Sequence, residues 1–198
     1  FEHSTDRDYN VHVGVHAGRY GGAHNNVSVG YQALGNATTT TAGDDNVAIG
    51  IYAMRNQTSG DDNTCVGAYA AQDITTGYAN ALLGFEAGTN LTTGANNIAI
   101  GKQALQTNVT GAGQVAIGHN ALKTHNSTSH YNTAIGYRAM QAATSGHESA
   151  VVGYDAGVNT TTAGNSTIMG YNAGAGLTTG SNNTFIGHSS GNYTNVCT

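Results

Sequence analysis

The sequence predicts an all-β fold, a β-solenoid (β-roll) of about eleven 17-residue coils. Three observations predict it. One unit recurs along the whole chain: Asn, a small or β-branched residue, Ala, an aliphatic residue and Gly, then Ala and often Leu or Met, then Thr-Thr-Gly or Thr-Ser-Gly. Its landmark glycines are Gly14, Gly30, Gly50, Gly67, Gly84, Gly101, Gly118, Gly136, Gly153, Gly170 and Gly187, at spacings of 16, 20, 17, 17, 17, 17, 18, 17, 17 and 17. Apolar residues keep fixed phase with those glycines. Finally, a 17-residue unit with fixed glycines and β-branched residues at its centre is a poor helix former.

The repeat makes residues 1–198 a single array, with coils over about 10–191 and short terminal segments 1–9 and 192–198. Positions are counted here from each landmark glycine. Every unit reads as a short strand, a tight Gly turn, a second short strand and a Thr-rich return. Position −1 holds Val13, Val29, Ile49, Val66, Leu83, Ile100, Ile117, Ile135, Val152, Met169 and Ile186, and position +3 is Ala in nearly every copy. The two positions are four apart. Alternation along a strand therefore assigns both to the interior and turns the polar +2 column outward. The Asn column at −4 (Asn10, Asn26, Asn46, Asn63, Asn80, Asn97, Asn132, Asn183) suits a stacked amide ladder, and equally suits ordinary turn asparagines. Coils stacked at the ~4.8 Å inter-strand spacing give a rod about 50 Å long.

Position −2 is apolar as well: Ala48, Cys65, Leu82, Ala99, Ala116, Ala134, Val151, Ile168 and Phe185. A strand apolar on both faces is covered on both faces. The expectation is an apolar strip (Ala48, Leu82, Ala99, Ala116, Ala134, Val151, Ile168, Phe185) that packs against another chain. The alternative is a strand kinked at Gly, with both columns turned inward.

Composition excludes several classes of function. Charged residues are 9% of the chain, the net charge is −5, and there is no basic cluster to neutralise nucleic-acid phosphates. No apolar run approaches the ~20 residues that span a bilayer, and the first residues carry no signal-peptide pattern. Gly-x-Ser-x-Gly, His-Glu-x-x-His and nucleotide-binding loops are absent. The expectation is a protein without enzyme activity, cofactor, catalytic residue or metal, and without nucleic-acid partner or membrane insertion.

Candidate sites remain. The Thr/Ser pairs at +8 and +9 (Thr58-Ser59, Thr75-Thr76, Thr92-Thr93, Thr144-Ser145, Thr161-Thr162, Thr178-Thr179, and Thr38-Thr39 where the return is longer) read as a turn ladder rather than an ice-binding face, because adjacent residues point opposite ways. Tyr31, Phe85, Tyr137, Tyr154 and Tyr171 at +1, with Tyr52 and Tyr69 one further on, are either glycan-facing or packing aromatics. Asp44, Asp45, Asp61 and Asp62 stand at equivalent places of adjacent coils. They form either a solvated acidic corner or a calcium position. Cys65 and Cys197 are seven coils apart, roughly 30 Å, too far for an intramolecular disulfide. Sequons mark candidate N-glycosylation at Asn26, Asn36, Asn56, Asn90, Asn108, Asn126, Asn159, Asn165, Asn182 and Asn192.

The strings NNVSVGYQAL (25–34), DNVAIGIYAM (45–54), NNIAIGKQAL (96–105) and YNTAIGYRAM (131–140) resemble the repeat region of phage tail fibres and related surface fibres. That resemblance covers nearly the whole chain. The strand core alone is similar to the head β-roll of trimeric autotransporter adhesins. Both resemblances imply an extracellular, trimer-forming β-solenoid that attaches to surfaces. The chain departs from both in having no recognisable C-terminal chaperone of the endosialidase type, no coiled-coil stalk and no membrane anchor.

The expected function is that of a non-enzymatic extracellular structural fibre protein, a self-associating shaft or surface-attachment segment on a virion or cell surface. The alternative is the subunit of a secreted, self-assembling filament. The partners expected are copies of the chain itself, as a trimer or a head-to-tail filament, together with cell-surface glycans. Terminal segments that supply no cap leave the end coils open to stacking.

Overall fold

A computed structural model describes residues 9–19, 23–35, 43–126, 128 and 131–192. Eleven three-residue strands follow one another: β1 (Val11–Val13), β2 (Val27–Val29), β3 (Val47–Ile49), β4 (Thr64–Val66), β5 (Ala81–Leu83), β6 (Ile98–Ile100), β7 (Val115–Ile117), β8 (Thr133–Ile135), β9 (Ala150–Val152), β10 (Thr167–Met169) and β11 (Thr184–Ile186). They form one parallel sheet in sequence order, each paired only with its neighbours in the chain. Pairing is residue for residue, as in Ala99↔Ala116 and Ala116↔Ala134. The chain is therefore a β-solenoid of about ten full turns, and the described residues contain no helix.

Register survives where the unit lengthens. Val29 pairs with Ile49 across the spacing of 20, and Ile117 with Ile135 across the spacing of 18. The strand and its Gly turn thus keep their place in the stack on both sides of each longer unit.

The second strand expected in each coil is replaced by a run of turns. Backbone N–H groups reach back three residues, from Ala53 to Gly50, Arg55 to Tyr52 and Gln57 to Met54. The cause is conformational. Positions +2 and +4 have φ in the left-handed region, for example Tyr52 at +57° and Met54 at +49°, and an extended strand cannot hold such residues.

The phase of the first strand is opposite to the one expected. The −2 column is the core: Ala48, Leu82, Ala99, Ala116, Ala134 and Val151 are completely buried, Ile168 nearly so, and Phe185 half-buried at the open last coil. Ala48 to Ile168 cannot be an inter-chain strip, because their own chain encloses them. The −1 column, expected inside, faces out instead, with Ile100 39% and Ile186 66% exposed. The physical reason lies at the landmark glycine, whose φ of 113–144° breaks the alternation. Face parity therefore cannot be carried across it from the +3 alanines, which are buried as expected from Ala33 to Ala173.

Three other columns complete the interior. At +4 stand Leu34, Met54, Ala71, Leu105, Leu122 and Met140, and at +7 Ile74, Leu91 and Ala143, all buried. The −4 column is a hydrogen-bonded amide ladder, as one of the two readings held. Below the last coil, the side-chain oxygen accepts from the backbone N–H one coil on (Asn46 from Asn63, 2.9 Å; Asn63 from Asn80, 3.1 Å; Asn80 from Asn97, 3.0 Å). From Asn26 on, the side-chain NH₂ donates to a glycine carbonyl of the return, as Asn80 does to Gly94 at 3.0 Å, and that of Asn10 donates to the Ala23 carbonyl. Gln114, Ser149 and Ser166 continue the ladder where Asn is missing. Buried polar groups are thus paired coil by coil.

Candidate self-association surface

The strand that supplies the core at −2 turns positions −3 and −1 outward. Their side chains stack in two columns over all eleven strands. The −1 column is aliphatic apart from Met169, and the −3 column is Val, Ile, Ala or Thr. Neither column contains a charged residue. Ile49, Leu83, Ile98, Ile100, Met169 and Ile186 are exposed, while Val66, Val115, Ile117, Ile135 and Val152 are half-buried by their neighbours above and below. An outward sheet face this apolar, and this long, is unusual for a soluble surface.

One edge of the face carries aromatic rings. His16, Tyr31, Tyr52, Tyr69 and Phe85 form a herringbone with centroids 5.4–6.4 Å apart. Lys102 follows, its ammonium 5.7 Å from the Phe85 ring. Then His119, Tyr137, Tyr154, Tyr171 and His188 stack face to face at 4.9–5.3 Å, with interplanar angles of 10–14°. Such stacking spends both faces of each interior ring on its neighbours and leaves edges and hydroxyls to solvent. A sugar stacks on a ring face, so at Tyr137, Tyr154 and Tyr171 the geometry favours the packing reading, while the edge-to-face rings of Tyr31 and Phe85 are open to either.

Beside the rings lies a row of polar side chains at +2 and +5. Gln103 and Gln106 both donate to the Glu86 carboxylate (2.7 and 2.8 Å), and Lys123 donates to Gln103. Arg138 forms a two-point ion pair with Asp155, and this hydrogen bonding raises the Arg138 pKa. The pair spans adjacent coils at one edge of the face.

The remaining sequence candidates are taken up by the coil-to-coil hydrogen bonding. The hydroxyls of Thr58, Thr75, Thr92, Thr144 and Thr161 each donate to a backbone carbonyl of the next coil at 2.9–3.2 Å, so they form a turn ladder. The Asp44 carboxylate accepts from the His24 N–H, and that of Asp61 from the Asp44 N–H, both at 2.8 Å. Asp45 and Asp62 occupy left-handed turn positions at φ +58°. Among the described residues no three His, Cys, Asp or Glu side chains are grouped to hold a metal. Cys65 is fully buried in the core, which pushes its thiol pKa far up; Cys197 and Thr38-Thr39 lie outside the described residues.

The sequons divide by burial. Asn90, Asn126, Asn159, Asn165, Asn182 and Asn192 are exposed. Asn56 is half-buried and donates to Asp73. Asn26 and Asn108 are buried, and Asn26 belongs to the amide ladder, so neither can carry a glycan in the folded chain. Asn36 lies outside the described residues.

Sequence reasoning missed the polar members of the +7 column. Gln57, Asn108, His125 and Thr160 are buried among aliphatic counterparts. Gln57 donates to the carbonyl of Gly60, and Asn108 accepts from the N–H of Gly111, each closing its own return turn. For Gln57 and Asn108 the signal was available in their spacing, three residues before Gly60 and Gly111.

No helix among the described residues is long and apolar enough to cross a membrane. The chain matches no family model, no curated protein and no solved structure.

Proposed function

We propose that this chain is a non-enzymatic extracellular structural protein, a self-associating β-solenoid shaft or surface-attachment segment of the phage-tail-fibre or adhesin kind. The observation that carries the reading is the outward strand face, aliphatic or small through eleven coils and free of charge. It measures about 50 Å by about 10 Å, or some 500 Å² before the aromatic edge is added, against about 800 Å² per partner in a standard interface. A partner that matches it along its length needs the same axial repeat, which a second copy has. The repeat pattern, which resembles that of surface fibres, supports an extracellular setting, and the exposed sequons are compatible with one. Glycans of a cell surface would meet the polar +2 row rather than the stacked ring faces.

The test is sedimentation velocity on the parent chain and on Ile100→Lys, which places a charge at the centre of the face without touching the core. The parent is expected to sediment as side-by-side oligomers and the variant as single rods of unchanged circular dichroism. A parent that stays a single rod wide at all concentrations overturns the reading.

A further inference from the structure

We infer that copies of this chain join end to end, coil 11 of one against coil 1 of the next, through the same ladder that joins the coils within it. The inference rests on the self-association reading and names its axial partner. Inside the solenoid each coil gives its neighbour a fixed set of bonds, shown by coils 2 and 3. Gly50 N–H donates to Val29 O, Tyr52 N–H to Tyr31 O, and Asn46 N–H to the Asn26 side-chain oxygen; in return Val27 N–H donates to Asn46 O and Leu34 N–H to Ala53 O.

The two ends hold complementary halves of that set. On coil 11 the Asn183 side-chain oxygen, Ile186 O and His188 O accept nothing, and Thr184 N–H and Gly191 N–H donate to nothing, among the described residues. On coil 1 the matching groups are equally unpaired: the N–H groups of Asn10, Gly14 and His16 and the carbonyls of Asn10 and Ala17. Three acceptors and two donors at one end thus face three donors and two acceptors at the other. Unpaired parallel edges of this kind are templates for strand addition.

Shape agrees with hydrogen bonding. A Cβ at any landmark glycine from Gly14 to Gly170 would fall within 2.7 Å of the next coil's glycine oxygen, whereas at Gly187 it would meet nothing within 4 Å. Coil 11 therefore keeps the flat glycine surface of an interior coil while lacking the coil that lies on it. The apolar columns continue too: Ile186 is placed for Val13 and the half-buried Phe185 for His12. A contact between different ends repeats without closing, so the filament is polar and unlimited in length.

The experiment is electron microscopy and light scattering of the parent and Thr184→Pro over a concentration series. Proline is tolerated on an edge strand. At Thr184 it removes an N–H that has no partner among the described residues, and it occupies the place of the incoming Asn10 carbonyl. Rods that lengthen in steps of about 50 Å in the parent, with Thr184→Pro needing about tenfold more protein or more to lengthen, support the joint. Gly187→Ala is the second variant. Its methyl is free in a single chain but meets Gly14 in the joint, and it gives the same reading if Thr184→Pro melts early. Parent rods that never lengthen overturn the inference. So do variants that fold and lengthen like the parent. Failure is separable from that of the lateral reading. Rods that thicken without lengthening sink only the joint, and rods that lengthen without thickening sink only the apolar face.

Discussion

The geometry of a coil is decided at single residues that accept unusual backbone angles. Among the described residues, twenty-six non-glycine residues have φ between 48° and 67°, at positions −5, +2 and +4, and none is Val, Ile or Thr. β-Branched residues are excluded there by the steric cost of the left-handed region, which Asn and Asp bear best. The landmark glycines answer a harsher demand, since they combine a φ that other residues avoid with contact against the backbone of the next coil. Gly84→Ala is accordingly expected to destabilise the chain by about 3 kcal/mol, from strain and collision together. Gly187→Ala should cost roughly half as much, from strain alone. Urea unfolding at concentrations too low for assembly checks the difference.

Among the elements, the strand shows where sequence reasoning reached and where it stopped. The period, the parallel stacking, the +3 alanines and the amide ladder were legible, because each is a column and columns survive without knowledge of direction. Which face of the strand points inward was not, because face parity between Ala53 and Ile49 holds only if the chain stays extended through Gly50, whose φ is +140°. The missing signal was present two residues upstream. Thr64, Thr133, Thr167 and Thr184 at −3 share a face with the −1 aliphatics. Hydroxyls repeated there mark the solvent side, leaving Ala48, Leu82 and Val151 for the core. The ladder makes its own prediction. Asn80→Ala leaves Gly94 O and the Asn97 N–H without their bonds from Asn80 in a buried site, so the loss is expected to be about 3 kcal/mol in chemical denaturation. Asn80→Ser should lose about 1 kcal/mol, since a serine hydroxyl accepts the equivalent bond at Ser149 and Ser166.

At the scale of the whole molecule, stability is a sum over coils and the contacts between neighbours. Every strand pairs only with its sequence neighbours, so a complete unit can be removed without leaving a hole. Deleting residues 95–111, one full period, is expected to give a folded rod shorter by about 4.8 Å, measurable by small-angle X-ray scattering. Deleting only residues 104–111 would throw Ile98–Ile100 and Val115–Ile117 out of register with each other and abolish the cooperative melt. The rings along the edge have an optical consequence. The chain has no tryptophan and eleven tyrosines, and Tyr137, Tyr154 and Tyr171 stand about 5 Å apart in near-parallel planes. Rings this close and parallel are expected to exchange absorbed ultraviolet energy, which fluorescence anisotropy would read as depolarised tyrosine emission. The stack is a short excitation conduit with a histidine at each end, and every copy added in line through Val15 and His16 would set another row of rings beyond His188.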